Sequence, residues 1–191
     1  HIGCGQSDKP RDYPYRLRRH IDNLTAFVER LGLEQITLVA QDWGGPIGLG
    51  AALAEPARYR RFILFNTAAF GSGRMPWRIG GCRVPILGRL AGQGLAVAHP
   101  ERISAAAREG ILAPYDSWAH REAIYRFVAD IPRSPRHPSY PTLLEIEQGL
   151  PRLAAHPWLL VWGMRDWCFT PQFLERFREF LPHAEVHRLA D

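Results

Sequence analysis

The 191 residues are 46% hydrophobic and 23% charged, a composition that is ordinary for a globular domain and excludes a disordered or low-complexity chain. The formal net charge is +5, but Lys9 is the only lysine among the 24 basic residues, and the arginines are scattered along the chain. Because a clustered basic face is missing, we do not expect a nucleic-acid partner.

Cysteine spacing and hydropathy exclude further classes of protein. Cys4, Cys82 and Cys168 are widely separated, with no CxxC pair and no zinc-binding pattern among the eight histidines. We therefore expect no structural disulfide, no metal and no cofactor. No apolar run reaches the roughly 18 residues of a transmembrane helix, and no basic-then-apolar leader opens the sequence. Cytoplasmic residence is the default expectation.

The first third of the chain predicts a strand–helix–strand unit. Residues 1–14 are rich in Gly, Asp and Pro and predict a loop. From Leu17 to Leu31 apolar residues recur at spacings of three and four, which predicts a helix with one buried face. The continuous apolar runs of Gln35–Gln41 and Arg61–Phe65 are typical of buried strands. This order of elements predicts a parallel sheet.

The residue composition of the sequence changes between Phe70 and Pro141. Gly and Pro are frequent through Val97, and two helix-compatible pieces follow, Glu101–Leu112 and Ser117–Phe127. This pattern predicts an inserted helical cap. The predicted organisation is therefore a core part at 1–69, a cap at 70–141 and a second core part at 142–191.

The second core part predicts two more strands. A helix over 142–153 precedes the apolar run 157–163, which is typical of a third buried strand. Thr170 and Pro171 are suited to the capping and first positions of a further helix. The segment 184–190 predicts a fourth strand.

The most informative stretch is 36–45, where an apolar run ends abruptly in Asp42, Trp43 and two glycines. Small residues on both sides of Asp42 indicate a sharp, strained strand-to-helix turn that presents one side chain. A carboxylate at that apex is ionised near neutral pH and can displace a leaving group from carbon, leaving a covalent ester. The alternative interpretation is that Asp42 only caps the following helix.

Four segments together resemble the haloalkane dehalogenase-like branch of the α/β-hydrolases. They are Gly3-Cys4-Gly5-Gln6-Ser7-Asp8-Lys9-Pro10, His20-Ile21-Asp22-Asn23-Leu24, Gln41-Asp42-Trp43-Gly44-Gly45 and Trp162-Gly163-Met164-Arg165-Asp166. Within that branch the cap segments 112–118 and 127–132 are most similar to the β-lactone decarboxylases of bacterial long-chain olefin biosynthesis. The resemblance implies an α/β-hydrolase fold, with a mostly parallel sheet, helices on both faces and an inserted helical cap.

The resemblance also implies roles for three residues. Asp42 takes the position of the nucleophile, and Trp43 takes the position whose N–H groups hold the departing anion. Asp166, after the third strand, takes the position of the acid that orients a catalytic histidine. The competing acid position, after the second strand, is occupied by Asn66. The alternative interpretations are core packing for Trp43 and a solvated loop position for Asp166.

Two parts of the family pattern have no match in this sequence. The oxyanion loop is expected before His1, and the catalytic histidine is expected just after the fourth strand, beyond Asp191. His183 and His187 are poor substitutes, because they fall before and inside that strand, away from its carboxyl end, where open-sheet active sites gather. We therefore expect a fragment of a longer protein, in which the strand 35–41 forms an exposed apolar edge.

The function that the resemblance implies is decarboxylation of a cis-β-lactone to an alkene, with a small hydrophobic substrate and with other olefin-pathway enzymes as partners. A haloalkane dehalogenase is the first alternative. An epoxide hydrolase would need two acidic cap tyrosines, for which Tyr115, Tyr125 and Tyr140 are available. The last alternative is a non-catalytic binding module, because a fold can be retained without its chemistry.

Overall fold

The computed structural model describes residues 1–71 and 103–190. The part of the predicted cap that falls on 72–102 lies outside the described residues. The chain divides into two compact units, one formed by His1–Arg16 with Met75–Ile131 and the other by Leu17–Arg74 with Pro132–Asp191. The domain boundaries at 69/70 and 141/142 stay a prediction.

The second unit contains a four-stranded sheet. Its strands are β1 (Ile36–Asp42), β2 (Tyr59–Thr67), β3 (Trp158–Gly163) and β4 (Glu185–Leu189), and they lie side by side in the order β1-β2-β3-β4. All three pairings are parallel, as the sequence predicts. Among the described residues β1 is an edge strand, and its Val39 side chain is 60% exposed.

Six α-helices lie in the described part of the chain. They are α1 (Leu17–Arg30), α2 (Gly44–Ala54), α3 (Ala105–Leu112), α4 (Glu122–Ala129), α5 (Tyr140–Gly149) and α6 (Pro171–Phe180). Gly32 follows α1 with a φ of 59°, a conformation that ends a helix at little cost for glycine. None of these helices is both long enough and apolar enough to cross a lipid bilayer.

The core of the sheet unit forms where α2 packs against β1. Gly48 of α2 lies so close to Leu38 that an added Cβ would approach the leucine side chain to 2.9 Å. Gly50 and Gly149 allow similarly close contacts with Ile21 of α1 and with Leu53. The apolar pattern of the helices and these glycines together explain how three helices form one layer.

The two faces of the sheet differ in exposure. On the face that bears Leu160 and Trp162 both side chains are fully buried, and the Phe177 ring of α6 lies 6.1 Å from that of Trp162. Strand alternation places Phe65 on the opposite face, where it is 37% exposed, and Leu189 is 45% exposed. The sheet therefore buries one face more completely than the other.

The other unit contains the N-terminal loop and the helices α3 and α4. The Tyr115 hydroxyl accepts a hydrogen bond of 3.0 Å from the backbone N–H of Gly5. Asp130 is 2% exposed and pairs with Arg16 at 2.7 Å, so its buried charge has a partner. These contacts tie the loop to the helical part of the same unit.

Element ends differ from the predictions for local reasons. The helix predicted to begin at Glu101 begins at Ala105, because Ser104 is extended and its hydroxyl accepts a hydrogen bond from the N–H of Ala107. The strand predicted over Arg61–Phe65 extends to Tyr59 and Thr67, since β1 offers hydrogen bonds along that length.

Candidate active site

Asp42 ends β1 in a conformation that few residues adopt. Its φ is 49°, in the left-handed region, where a side chain other than that of glycine is strained by roughly 1–2 kcal/mol. Aspartate tolerates this region better than most residues. The predicted strained turn is therefore present, and α2 begins two residues later at Gly44.

Thr67 and Gly45 hold this turn in place. Thr67 stands opposite Asp42 in the β1–β2 register, and its hydroxyl donates a hydrogen bond to the Asp42 carbonyl oxygen. The backbone at Gly45 passes so close to Thr67 that an added Cβ would come within 1.9 Å of Thr67 Oγ1. Glycine is required at 45 because the carboxyl end of β2 leaves no room for a side chain.

The capping interpretation of Asp42 does not match the geometry. The cap position of α2 is occupied by Trp43, and no side chain accepts a capping hydrogen bond there. The backbone N–H of Trp43 instead donates to the Asp42 carboxylate. Asp42 therefore stands before the helix with its carboxylate hydrogen-bonded to the turn.

Asp166 lies in the loop that follows β3. Its Oδ1 accepts hydrogen bonds from the backbone N–H groups of Cys168 at 2.7 Å and Phe169 at 3.0 Å. The second oxygen, Oδ2, makes no hydrogen bond within the part of the chain that the structure describes. One oxygen of this carboxylate thus fixes the loop, and the other is available to a further donor.

The two carboxyl groups are near enough to influence one another. Burial raises the pKa of Asp42 above its ordinary value of 3.8, the Trp43 N–H opposes that rise, and the charge of Asp166 adds to it. Asp42 is an exposed residue by its solvent-accessible surface, although the protein atoms around its carboxyl still desolvate that group in part. The carboxyl ends of β1 and β3 therefore bring together two acids that are far apart in sequence.

Cys168 is a third titratable group at this place. Burial, and to a smaller extent the charges of Asp42 and Asp166, raise the pKa of its thiol to about 12. A nucleophilic cysteine needs a lowered pKa. The thiol is therefore protonated at neutral pH and does not compete with Asp42 as a nucleophile.

The sequence predicts Asp42, Trp43 and Asp166 as site residues but does not show the contacts that hold Asp42 and Asp166. Thr67 carries no motif, and only the strand register places it opposite Asp42. Asn66 occupies the competing acid position in the sequence, and in the structure its side-chain amide forms hydrogen bonds with the main chain of β3. Neither residue stands in a motif, so the sequence alone carries no signal for these contacts, which depend on the pairing of the strands.

The two candidate histidines lie where the sequence predicts. His183 precedes β4, and His187 stands inside it, opposite Val161 of β3. The loop that contains Asp166, residues 164–169, begins only after Gly163, so both histidines are displaced toward the amino end of the sheet. We call this segment the acid loop. Within the described ranges, no group of three or more His, Cys, Asp or Glu side chains could hold a metal ion.

Comparison with known proteins assigns the chain to a family. Residues 1–83 match the family described as alpha/beta hydrolase fold. The whole chain aligns with cis-3-alkyl-4-alkyloxetan-2-one decarboxylases, with 40% identity over 65% of the length of the Shewanella oneidensis protein and 38% identity over 70% of that of Xanthomonas campestris. An ancestral haloalkane dehalogenase superimposes with a TM-score of 0.83 at 27% identity, over 98% of this chain and 71% of its own.

These similarities define first a class and then a branch. The fold is that of an α/β-hydrolase, an enzyme class in which a strained turn presents the reacting side chain. The chain belongs to the haloalkane dehalogenase-like branch of this family, together with the cis-3-alkyl-4-alkyloxetan-2-one decarboxylases. It spans 65% of the length of the Shewanella relative, which agrees with the expectation of a fragment.

Proposed function

We propose that the complete protein converts a cis-β-lactone with two alkyl substituents into an alkene and carbon dioxide, with Asp42 as the nucleophile. The observation that carries this proposal is the strained Asp42 turn beside Asp166, in a chain 40% identical to a decarboxylase of that substrate class. Strain at a residue is retained where function requires it.

The chemistry follows from a carboxylate facing a strained four-membered ring. An Asp42 oxygen attacks the ring carbon that bears the ring oxygen and one alkyl group, and the bond between that carbon and the ring oxygen breaks. The product is an alkyl ester of Asp42 that carries a free carboxylate. The bond to this carboxylate then breaks to release carbon dioxide, and its electron pair forms the carbon–carbon double bond and expels Asp42. No water is consumed, and Asp42 returns to its starting state.

Trp43 and Asp166 support this reaction in the proposal. Trp43 is the residue after Asp42, and in the proposal its N–H groups stabilise the carboxylate that forms when the ring opens, because donors aimed at developing charge lower the barrier. Asp166 keeps Oδ2 available for the N–H of a histidine, which would be supplied by sequence outside these 191 residues. An acid in this role fixes the tautomer and orientation of the imidazole.

Haloalkane dehalogenation is the second candidate, and the structural similarity to an ancestral haloalkane dehalogenase favours it. The first step would be the same attack by Asp42 on carbon, with a halide ion as the leaving group. The ester would then be hydrolysed by water to an alcohol. The two reactions differ in the second step, so the products separate them.

The experiment uses protein expressed from the complete open reading frame that contains these residues. A long-chain cis-β-lactone and a 1-bromoalkane of the same carbon number are supplied separately, and alkene is measured by gas chromatography and halide by ion chromatography. We expect alkene from the lactone. Bromide release without lactone turnover would contradict decarboxylation and support dehalogenation. Turnover of neither substrate would contradict both proposed activities.

A further inference from the structure

Both polar atoms of the Asn66 side-chain amide form hydrogen bonds with the main chain at the two ends of the acid loop. It is the penultimate residue of β2 and is only 9% exposed. Its Oδ1 accepts a hydrogen bond of 2.8 Å from the N–H of Gly163, and its Nδ2 donates to the Gly163 carbonyl at 3.0 Å. Nδ2 also donates to the carbonyl of Phe169 at 3.3 Å.

These three hydrogen bonds close a loop whose centre is Asp166. Gly163 is the last residue of β3, and Phe169 is the residue before the capping position of α6. The Gly163 carbonyl also accepts the N–H of Asp166 at 3.2 Å, and the Phe169 N–H donates to Asp166 Oδ1. Both loop ends that Asn66 holds are therefore bonded directly to Asp166.

The indole of Trp162 strengthens the same loop end. Its Nε1 donates to the Phe169 carbonyl at 2.8 Å, so that this oxygen receives two donors, one from Trp162 and one from Asn66. The Trp162 side chain is fully buried. The loop is thus tied to two neighbouring strands, β2 and β3, by side chains with little freedom to move.

The surroundings of Asn66 require an amide and not an acid. One side-chain atom faces an N–H, and the other faces two carbonyl oxygens, so the orientation of the amide is determined by its partners. A carboxylate of the same shape could accept from Gly163 but could donate to neither carbonyl. Two buried carbonyls would then face a negative charge, which is strongly unfavourable.

We propose that Asn66 is a positioning residue for the acid loop: it sets the place of the Asp166 carboxylate relative to Asp42 through the main chain of Gly163 and Phe169. This inference rests on the proposed function for its effect on turnover. The loop geometry itself does not depend on the substrate. Residues that orient metal ligands through hydrogen bonds typically contribute about 10–100-fold in activity, and we expect an effect of the same order for Asn66.

The test is the substitution Asn66→Asp in the full-length protein, with Asn23→Asp in α1 as the matched control. Asn23 is the other asparagine of the sequence, so both variants make the same chemical change. We expect Asn66→Asp to lower kcat about 10–100-fold with little change in KM. The control is expected to keep kcat within about threefold of the parent protein.

A double-mutant cycle separates positioning from general destabilisation. If Asn66 acts through Asp166, Asn66→Ser, which adds no acid at the competing acid position, should change kcat less than about threefold once Asp166→Asn is already present. An equal loss of kcat in both backgrounds would overturn the proposal. Melting temperatures of all four proteins show which variants are folded, and Asn66→Ser provides a second variant without the added charge.

Hydrogen exchange tests the positioning role of Asn66 independently of turnover. Amide exchange in peptides that contain residues 164–169 should accelerate in Asn66→Asp and Asn66→Ser, while Asn23→Asp leaves it unchanged. Unchanged exchange in both Asn66 variants would contradict the proposed role, whatever substrate the protein accepts. If neither lactone nor bromoalkane is turned over, the proposed function fails, and the exchange result still tests Asn66.

Discussion

Asp42 ends one parallel strand of the sheet and Asp166 follows another, but the backbone surroundings of the two carboxyl groups differ. The backbone of Asp42 has a strained conformation, nearby protein atoms desolvate its carboxyl in part, and one backbone N–H donates to that carboxyl. Asp166 lies in a loop that turns back on its side chain, and two backbone N–H groups hold one of its oxygens. These different surroundings agree with the different tasks that the proposed function gives the two acids, the first to react and the second to orient.

The largest expected effect comes from removing the carboxylate of Asp42, the proposed nucleophile. Asn is nearly isosteric with Asp and tolerates a positive φ, so Asp42→Asn should leave the turn intact. We expect kcat for lactone turnover to fall by about 10⁴-fold or more, because no other group at this turn can form the ester. Steady-state alkene production measures the loss, and the circular dichroism spectrum checks the fold. Turnover within tenfold of the parent protein would remove Asp42 from the role of nucleophile.

Asp166→Asn should have a smaller effect, which sharpens the difference between the two acids. The amide oxygen can still accept hydrogen bonds from the two loop N–H groups, but the negative charge that supports a histidine in the proposed function is lost. We expect kcat to fall by about 10³-fold. Single-turnover kinetics should show that the chemical steps, and not substrate binding, are slowed. A larger loss than that of Asp42→Asn would reverse the assignment of the two roles.

Gly45→Ala tests the packing that holds the strained turn. The new Cβ would meet Thr67 within 1.9 Å, whereas a Cβ at Gly44 would have Ala40 at 3.7 Å as its nearest neighbour. We expect Gly45→Ala to lower the free energy of unfolding by about 1–3 kcal/mol. Gly44→Ala is the matched control and should be neutral or stabilising, since alanine favours a helix. Urea denaturation of both variants measures the difference, and equal stabilities would contradict the close contact with Thr67.

The raised pKa of Asp42 predicts a pH-dependent cost in stability. A folded-state pKa above 3.8 means that the folded protein binds the proton more tightly than the unfolded chain. The stability contribution of Asp42 therefore falls as pH rises from 3.8 through the raised pKa. Asp42→Asn should unfold at a higher temperature than the parent protein at neutral pH, and the difference should close below pH 3.8. A constant difference across this range would contradict burial as the cause.

The strands and the strained turn could be predicted because local sequence determines them. The apolar run before Asp42 and the glycines after it specify the turn, and Asp166 follows an equally clear apolar strand. The roles of Asn66 and Thr67 could not be predicted, since they depend on which residues stand opposite each other across neighbouring strands. Register is a property of the assembled sheet.

The most direct test of the account is to find the covalent ester. Full-length protein is mixed with the cis-β-lactone, quenched in acid within milliseconds, digested with trypsin and analysed by mass spectrometry. The tryptic peptide 31–58 contains Asp42 and no internal lysine or arginine. We expect this peptide to gain the mass of the intact lactone, with the modification on Asp42, and to lose that gain in Asp42→Asn. An adduct on another residue, or alkene formation that persists in Asp42→Asn, would contradict the central claim.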